Sequence, residues 1–237
     1  MRQILTLVLS VISLSLFAQE QVINDKNVVT RNVSGFSGIK VSNSIDLYLS
    51  QSNSEAVAVS ASEEKYRDKI RTEVKNGILE IWYDQDKMSF HNNENKKLKA
   101  YVSFKTISRL IASGASDIYV NGVINTENLK LSVSGASDFK GKVKITNLDI
   151  SMSGASDVKI DGSASNLKID ASGASDLKGY NLTADNCTVE ASGASDINIT
   201  ANNSLSVQAS GASSIRYKGS AQVKNVSTSG ASSIRKA

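Results

Sequence analysis

The 237-residue sequence contains no proline, one cysteine, one histidine and few aromatic residues, which make up 5% of the chain. Without proline, every residue after the first keeps a backbone N–H for a hydrogen-bonded sheet. A single cysteine excludes an intramolecular disulfide framework. The one histidine, His91, has no cysteine partner with which to form a zinc site. Hydrophobic residues make up 40% of the chain, so the core must be built mainly from aliphatic and small side chains.

The net charge is also small, with a formal value of +4 at pH 7. It falls by one unit without residues 1–18, which contain Arg2 and no acidic residue. A balance this close to neutrality gives no support for a nucleic-acid partner.

The N-terminus has the pattern of a secretory signal peptide. Arg2 is followed by an apolar run from Ile4 to Phe17, interrupted only by Thr6 and serines, and then by the small residue Ala18. The run is too short for a membrane anchor, so we predict a signal peptide over residues 1–18 and a linker over 19–27. The mature chain has no other segment of transmembrane length. We therefore expect export through the inner membrane to the periplasm, the outer surface or the medium.

A five-residue motif recurs seven times at a spacing of 18 to 21 residues. Ser-Gly-Ala-Ser-Asp begins at Ser113, Ser134, Ser153, Ser172 and Ser192, and Ser-Gly-Ala-Ser-Ser begins at Ser210 and Ser229. A near-constant spacing over so many copies indicates one repeated structural unit.

The residues around each copy alternate between apolar and polar, which is typical of half-buried strands. Leu129, Leu148 and Leu167 stand five residues before their motifs, and an apolar residue follows each motif directly. These patterns predict an all-β parallel β-solenoid with coils of about 19 residues, each made of strand, tight turn, strand and loop. Leu148 should contact Leu129 and Leu167 in its core.

The motif itself is predicted to form the corner of each coil. Glycine permits a backbone conformation that is costly for other residues, alanine fits inside a sharp corner, and Ser and Asp side chains satisfy free N–H groups. The structural turn glycines are Gly114, Gly135, Gly154, Gly173, Gly193, Gly211 and Gly230.

We predict that residues 28–112 form a divergent, less regular N-terminal part of the solenoid and that residues 113–237 form the repeat solenoid. Ile39, Val41 and Asp46 fall at the same offsets as Leu110, Ala112 and Asp117, which predicts an eighth coil. Asn76-Gly77, between two apolar segments, predicts a β-hairpin.

The aspartates of the motif stack into a column whose members repel one another at the ~4.8 Å spacing of neighbouring strands. The column consists of Asp117, Asp138, Asp157, Asp176 and Asp196. We expect each Asp to cap its turn, and lysines two residues later to neutralise much of the repulsion. A calcium ladder is the weaker alternative, because the Gly-Gly-x-Gly-x-Asp repeat of such ladders is absent. We expect no metal and no cofactor.

The sequence offers no catalytic constellation. Cys187 takes the place of a leucine in its column, which predicts a buried thiol, and the repeated serines have no paired histidine. A carbohydrate-active enzyme, such as a polysaccharide lyase built on a β-helix, is the enzymatic alternative. The even recurrence of Asp and Lys favours architecture over catalysis.

Residues 31–41 (Arg-Asn-Val-Ser-Gly-Phe-Ser-Gly-Ile-Lys-Val), residues 74–81 and the motif series resemble the putative auto-transporter adhesin, head GIN domain family, over roughly residues 28–237. The resemblance implies a right-handed β-helix, export in a Gram-negative bacterium, and an adhesive role. We therefore expect an exported, non-enzymatic adhesion or envelope module, with an inert self-assembling structural protein as a further alternative.

The partners are not identified by the sequence. A surface glycan or a matrix protein would suit an adhesion module. The basic residues Arg216, Lys218, Lys224, Arg235 and Lys236 in the last two coils also predict a weak, salt-dependent self-association through residues 205–237.

Overall fold

A computed structural model describes residues 25–85 and 95–237, which form a 17-stranded sheet and one short helix, α1 (Glu64–Arg67). The predicted signal peptide, residues 1–18, and His91 lie outside these residues. The strands are β1 (Val29–Arg31), β2 (Gly38–Val41), β3 (Asp46–Gln51), β4 (Ala56–Ser60), β5 (Ile70–Lys75), β6 (Ile78–Tyr83), β7 (Lys99–Phe104), β8 (Arg109–Ala112), β9 (Ile118–Asn121), β10 (Ile124–Val133), β11 (Asp138–Met152), β12 (Asp157–Ala171), β13 (Asp176–Ala191), β14 (Asp196–Ala209), β15 (Ser214–Lys218), β16 (Gln222–Thr228) and β17 (Ser233–Lys236).

Successive coils stack in parallel, so residues one repeat apart lie side by side. Leu129 is opposite Leu148 between β10 and β11, and Leu148 is opposite Leu167 between β11 and β12. All three leucines are buried. The predicted parallel solenoid with internal leucine contacts is therefore confirmed. No single coil could bury such a face alone, so the stability of the fold comes from stacking.

Each central coil consists of one long strand and one tight turn. β11 and β12 each run for 15 residues from one motif to the next, so the loop expected within each repeat is absent. Different repeat lengths are absorbed inside the strands instead. Lys159 pairs with Lys178, but Gly162 pairs with Leu182, so β13 carries one extra residue as a bulge.

The motif turns stack on one another through their own backbones. Ala155 N donates to Gly135 O at 2.8 Å, and Ala174 N donates to Gly154 O at 2.7 Å. The seven motif glycines all have positive φ, between 63° and 80°. The glycine conformation thus recurs in all seven copies of the motif, although Ala115 of the first copy also has a positive φ, of 62°. From the second copy onward, the bonds between alanine N and glycine O extend the hydrogen-bonded ladder around the corner.

The interior of the corner is filled by the fourth residue of the motif, not by alanine as expected. Ser116, Ser156 and Ser175 are buried, whereas Ala155 is exposed. The inward serine stabilises the turn with a hydrogen bond to its backbone: Ser175 Oγ donates to Ser172 O at 2.7 Å. A buried hydroxyl with a backbone partner satisfies a polar group that an alanine methyl would leave unpaired.

The divergent eighth coil is confirmed. β2 lies beside β8 with Ile39 opposite Leu110, and β3 lies beside β9 with Leu47 opposite Ile118. In place of the motif, Asn43 and Ser44 take positive φ values of 65° and 62°. The divergent coil is therefore a direct neighbour of the coil that contains Ser113, although equivalent residues of the two coils are 71 positions apart in the sequence.

Part of the intervening segment forms a further coil on the other side of the eighth one. β6 and β7 pair in parallel with β2 and β3. The hairpin at Asn76-Gly77 is confirmed, with φ values of 51° and 74°, and it places β5 antiparallel to β6. β4 runs antiparallel between β7 and β1. Antiparallel strands thus flank this end of the parallel stack.

At the opposite end, β16 pairs with β14 and β17 pairs with β15. Every residue of β16 is exposed, including Val223 and Val226. Self-association through residues 205–237 stays a prediction. In the ranges described, no helix is both long enough and apolar enough to cross a bilayer.

Candidate functional site

The outward face of the first half of each coil carries two neighbouring columns of charged residues. In the Asp column, Asp138, Asp157, Asp176 and Asp196 are opposite one another on adjacent strands. Two residues further along, Lys140, Lys159 and Lys178 form a parallel column. Both columns follow from the period of two in a strand, because residues two apart point to the same side.

The lysines neutralise the Asp column only in its later part. Lys178 Nζ lies 3.0 Å from Asp176 Oδ2 and 3.6 Å from Asp157 Oδ2. This proximity raises the pKa of Lys178, chiefly through the hydrogen bond to Asp176. Lys140 and Lys159, by contrast, make no ion pair with any described residue. The expectation that lysines offset the repulsion along the whole column is thus correct for Lys178 but not for these two.

The uncompensated part of the column has an electrostatic consequence at Asp138. Burial raises the pKa of its carboxyl group, and the neighbouring charges of Asp117 and Asp157 raise that pKa further. Asp117 has a neutral partner instead of a lysine, because its carboxylate accepts a hydrogen bond from Tyr119 Oη at 3.1 Å. Asp138 thus has no ion-pair partner among the described residues, although Lys140 stands two residues after it, and the charge of Lys178 offsets the rise in its pKa only in part.

The lysine column continues into a stack of three tyrosines. Tyr119 is opposite Lys140, Tyr48 is opposite Tyr119, and Tyr101 is opposite Tyr48. The centroids of the Tyr48 and Tyr119 rings are 5.3 Å apart with 22° between the ring planes, and those of Tyr48 and Tyr101 are also 5.3 Å apart, with 20°. All three side chains are half-buried.

The stacked tyrosines remain protonated over a wide pH range. Burial, the charge of Asp117 and the hydrogen bond to it raise the pKa of Tyr119 to about 12. Burial together with Asp25 raises the pKa of Tyr101 to about 12 as well. The stack is therefore an uncharged aromatic surface with polar edges at neutral pH.

A shallow groove of about 390 Å³ runs where the tyrosine stack meets the lysines. We call it the Tyr–Lys groove. It is lined by Tyr48, Tyr119, Val120, Asn121, Lys140, Gly141, Lys142, Lys159 and Asp161. It thus presents two aromatic rings and three ammonium groups against one carboxylate, on the side of the lysines away from the Asp column.

The second half of each coil carries an asparagine ladder that was not predicted from the sequence. Asn147 Nδ2 donates to Asn128 Oδ1 at 2.8 Å, Asn166 Nδ2 donates to Asn147 Oδ1 at 2.8 Å, and Asn186 Nδ2 donates to Asn166 Oδ1 at 3.1 Å. The ladder borders a second groove, of about 400 Å³. The signal was present in the sequence, since each of these asparagines stands six residues before a motif.

Cys187 lies in the leucine column, opposite Leu167 and Leu205, and is buried as predicted. Burial, with a smaller effect from Asp185, raises the pKa of its thiol to about 12. A thiol that stays protonated is a poor nucleophile. The position of Cys187 is therefore that of a packing residue in the core.

Metal-binding geometry is absent from residues 25–85 and 95–237, where no three His, Cys, Asp or Glu side chains are grouped to hold an ion. The Asp column, which the calcium alternative would use, forms no such group. Both grooves are lined by positions that recur from coil to coil, as repeated contacts to an extended ligand require.

The sequence model of a family described as "Putative auto-transporter adhesin, head GIN domain" matches residues 35–221. This match confirms the resemblance inferred from the motifs, over a somewhat shorter range than expected. None of the curated proteins matches the chain in sequence.

Several solved structures share the fold. A putative adhesin from Bacteroides fragilis NCTC 9343 superposes with a TM-score of 0.79 at 23% identity, covering 90% of this chain and 98% of that one. A putative lipid binding protein from Parabacteroides distasonis ATCC 8503 gives 0.67 at 20% identity, with coverages of 90% and 98%. A putative adhesin from Parabacteroides merdae ATCC 43184 gives 0.64 at 17% identity, with coverages of 90% and 97%. At these identities the likeness concerns the fold alone.

Proposed function

The chain belongs to the putative auto-transporter adhesin, head GIN domain family, and we propose that it is an exported, non-enzymatic adhesion module of the cell envelope. In this proposal, residues 1–18 direct export and are removed. The solenoid of residues 28–237 then presents its outward columns to a surface glycan or a matrix protein.

The observation that carries the proposal is the difference between the two faces of each strand: one face is buried in the core and the other is exposed and polar. Inward residues such as Leu148 and Ile150 are buried and form the core, whereas outward residues such as Lys140 and Asn147 are exposed. The outward residues repeat in register from coil to coil. A rigid row of identical polar groups suits many weak contacts along an extended surface, which is the requirement of adhesion.

The same arrangement argues against the enzymatic alternative. Catalysis needs a distinct set of acid, base or nucleophile held within hydrogen-bond reach of one another. Here the acids and bases recur evenly along the stack, and the thiol of Cys187 is buried and protonated. These features support a binding role rather than a reaction.

Export is tested by expressing the full chain in a Gram-negative host, fractionating the cells and sequencing the N-terminus of the mature protein. We expect a mature chain that begins at Gln19 and lies beyond the inner membrane. Leu9→Arg is the matched control, because a charge in the apolar run should keep the chain in the cytosol. A wild-type chain that stays in the cytosol at full length would contradict the proposal.

Adhesion is tested by coating beads with the exported wild-type protein and measuring retention on immobilised glycans and matrix proteins. We expect retention on at least one of these surfaces, without any change in the mass of the glycan. A shortened glycan would instead support the carbohydrate-active alternative. No retention on any surface, together with concentration-dependent sedimentation, would support the self-assembling alternative.

A further inference from the structure

We propose that the Tyr–Lys groove binds an acidic polysaccharide that lies along the axis of the solenoid. This proposal rests on the adhesive function proposed above and names its ligand class. The sugar rings pack against Tyr48 and Tyr119, and the anionic groups of the chain approach Lys140, Lys142 and Lys159.

The first argument is the set of unpaired cations. Several outward lysines elsewhere on the described surface form ion pairs with carboxylates. Lys130 Nζ lies 3.8 Å from Asp149 Oδ2, and Lys178 Nζ lies 3.0 Å from Asp176 Oδ2. None of the three groove lysines has an ion-pair partner among the described residues. Three ammonium groups facing one carboxylate, Asp161, make the groove complementary to a polyanion.

The second argument is the aromatic surface beside those cations. Tyr48 covers one face of the Tyr119 ring, and the other face points along the stack toward the coil of Lys140. Within the described part of the chain, no ammonium group lies over that ring. Half-exposed tyrosines offer an apolar face to the C–H groups of a sugar and a hydroxyl to its polar rim. A purely ionic site would have no use for them.

The third argument is the match of spacings. Lys140 and Lys159 are in register on adjacent strands, which places their backbones ~4.8 Å apart. This spacing is close to the length of one pyranose unit in an extended polysaccharide. Successive coils can therefore meet successive sugars, which a compact ligand could not exploit.

The fourth argument is the rigidity of the groove floor. Gly141 lines the groove, and a β-carbon on it would stand 2.8 Å from Cζ of the buried Phe139 and 2.7 Å from Cγ2 of Val120. The preceding residue, Lys140, is paired with Tyr119 of β9 on one side and with Lys159 of β12 on the other, which holds the backbone beside Gly141 in place. The groove is thus preformed, which reduces the entropy lost on binding.

The proposal is tested by calorimetric titration of the exported wild-type protein with polygalacturonate and dextran sulfate, which separate carboxylate from sulfate recognition. Dextran, polyglutamate, single-stranded DNA and anionic vesicles serve as comparison ligands. We expect at least one acidic polysaccharide to bind about tenfold or more tightly than dextran and polyglutamate, and the binding to weaken with salt. Equal or tighter binding of polyglutamate, DNA or vesicles would overturn the proposal, because the site would then recognise charge without sugar.

Two substitutions locate the site. Lys140→Gln/Lys159→Gln should weaken polysaccharide binding about tenfold or more. Lys130→Gln/Lys168→Gln, with the same change in charge on the other half of the coil, should leave polysaccharide binding unchanged.

Tyr119→Leu should weaken polysaccharide binding but not polyglutamate binding, whereas Tyr180→Leu, outside the groove, should change neither. Equal effects of the two lysine pairs would overturn the assignment. Adhesion of the lysine variant at wild-type strength would remove this ligand but leave the adhesive function standing.

Discussion

Gly154 lies so close above Gly135 that a β-carbon on Gly154 would stand 2.5 Å from the carbonyl oxygen of Gly135. Gly173 has the same relationship to Gly154, also at 2.5 Å. The stacking of the corners thus depends on glycine for two reasons, because its φ is positive and because the neighbouring coil occupies the space of a side chain.

Gly154→Ala is expected to lower the free energy of unfolding by about 3 kcal/mol, from left-handed strain and overpacking combined. Gly35→Ala is the matched control, because Gly35 has a similar φ of 77° but nothing within 4 Å of its β position. It should cost only about 1–2 kcal/mol, from left-handed strain alone. Urea unfolding followed by circular dichroism gives both values, and equal losses would show that the close approach of the coils is unimportant.

Ser116 joins the repeat solenoid to the divergent coil, because its Oγ accepts a hydrogen bond from Ile45 N at 3.1 Å. Ser116→Ala would leave that buried N–H without a partner, so we expect a loss of about 1–3 kcal/mol in unfolding free energy. Ser163→Ala, at an exposed position of β12, should change it by less than about 0.5 kcal/mol. Indistinguishable urea midpoints for the two variants would contradict this role.

The coils could be predicted from the sequence because each one repeats the same packing problem. Leu148 must lie beside Leu129 and Leu167 if equal repeats stack, and period-two alternation determines which side faces inward. The inward serine of the corner was not predictable in this way. Its place follows from the turn geometry, and the sequence pattern alone favoured the smaller and less polar alanine.

The candidate site was predictable only in part, and for a topological reason. Tyr48 and Tyr119 each stand two residues after an aspartate at equivalent positions of their coils, so the repeat pattern places both in one column. Tyr101 could not be placed, because β7 enters the stack out of chain order, beneath a coil that precedes it in sequence. The Asn ladder, by contrast, could have been found from its fixed distance to the motif.

Cys187→Ser should lower the free energy of unfolding by about 1–3 kcal/mol, because a hydroxyl replaces a thiol in an apolar column. Cys187→Val keeps the site apolar and should cost less than about 1.5 kcal/mol. The native thiol should also resist a bulky maleimide at pH 8 until urea is added. Rapid labelling of the folded protein would show that the column is open to solvent.

The thiol also predicts a pH dependence. Its pKa is raised from about 9 to about 12 in the folded chain, so above pH 9 the unfolded chain loses this proton while the folded chain retains it. The stability conferred by the buried thiol is therefore complete below pH 9 and falls as the pH rises toward 12. Because Cys187→Val lacks the group, its stability should decline less over this range than that of the wild type. Parallel declines would contradict burial as the cause.

Asp138→Asn should raise the free energy of unfolding at pH 7 by about 0.2–1 kcal/mol, because it removes a charge that faces Asp117 and Asp157. An asparagine keeps an acceptor oxygen for the turn. The pKa of Asp138 is raised in the folded chain, so the folded protein takes up this proton at a higher pH than the unfolded chain. Protonation relieves the repulsion, and the advantage of Asp138→Asn should shrink as the pH falls through that raised pKa.

Removing a lysine that is paired with the Asp column should lower stability, whereas removing an unpaired lysine should not. Lys178→Gln removes the partner of Asp157 and Asp176 and should lower the unfolding free energy by up to about 1 kcal/mol. Lys140→Gln removes an unpaired lysine and should change it by less than about 0.5 kcal/mol. Urea titrations at low and high salt provide the measurement, since only the loss at Lys178 should diminish with salt. An equal loss at Lys140 would mean that Lys140 is also committed to the Asp column, and the groove would then lack a free cation with which to meet an anionic sugar.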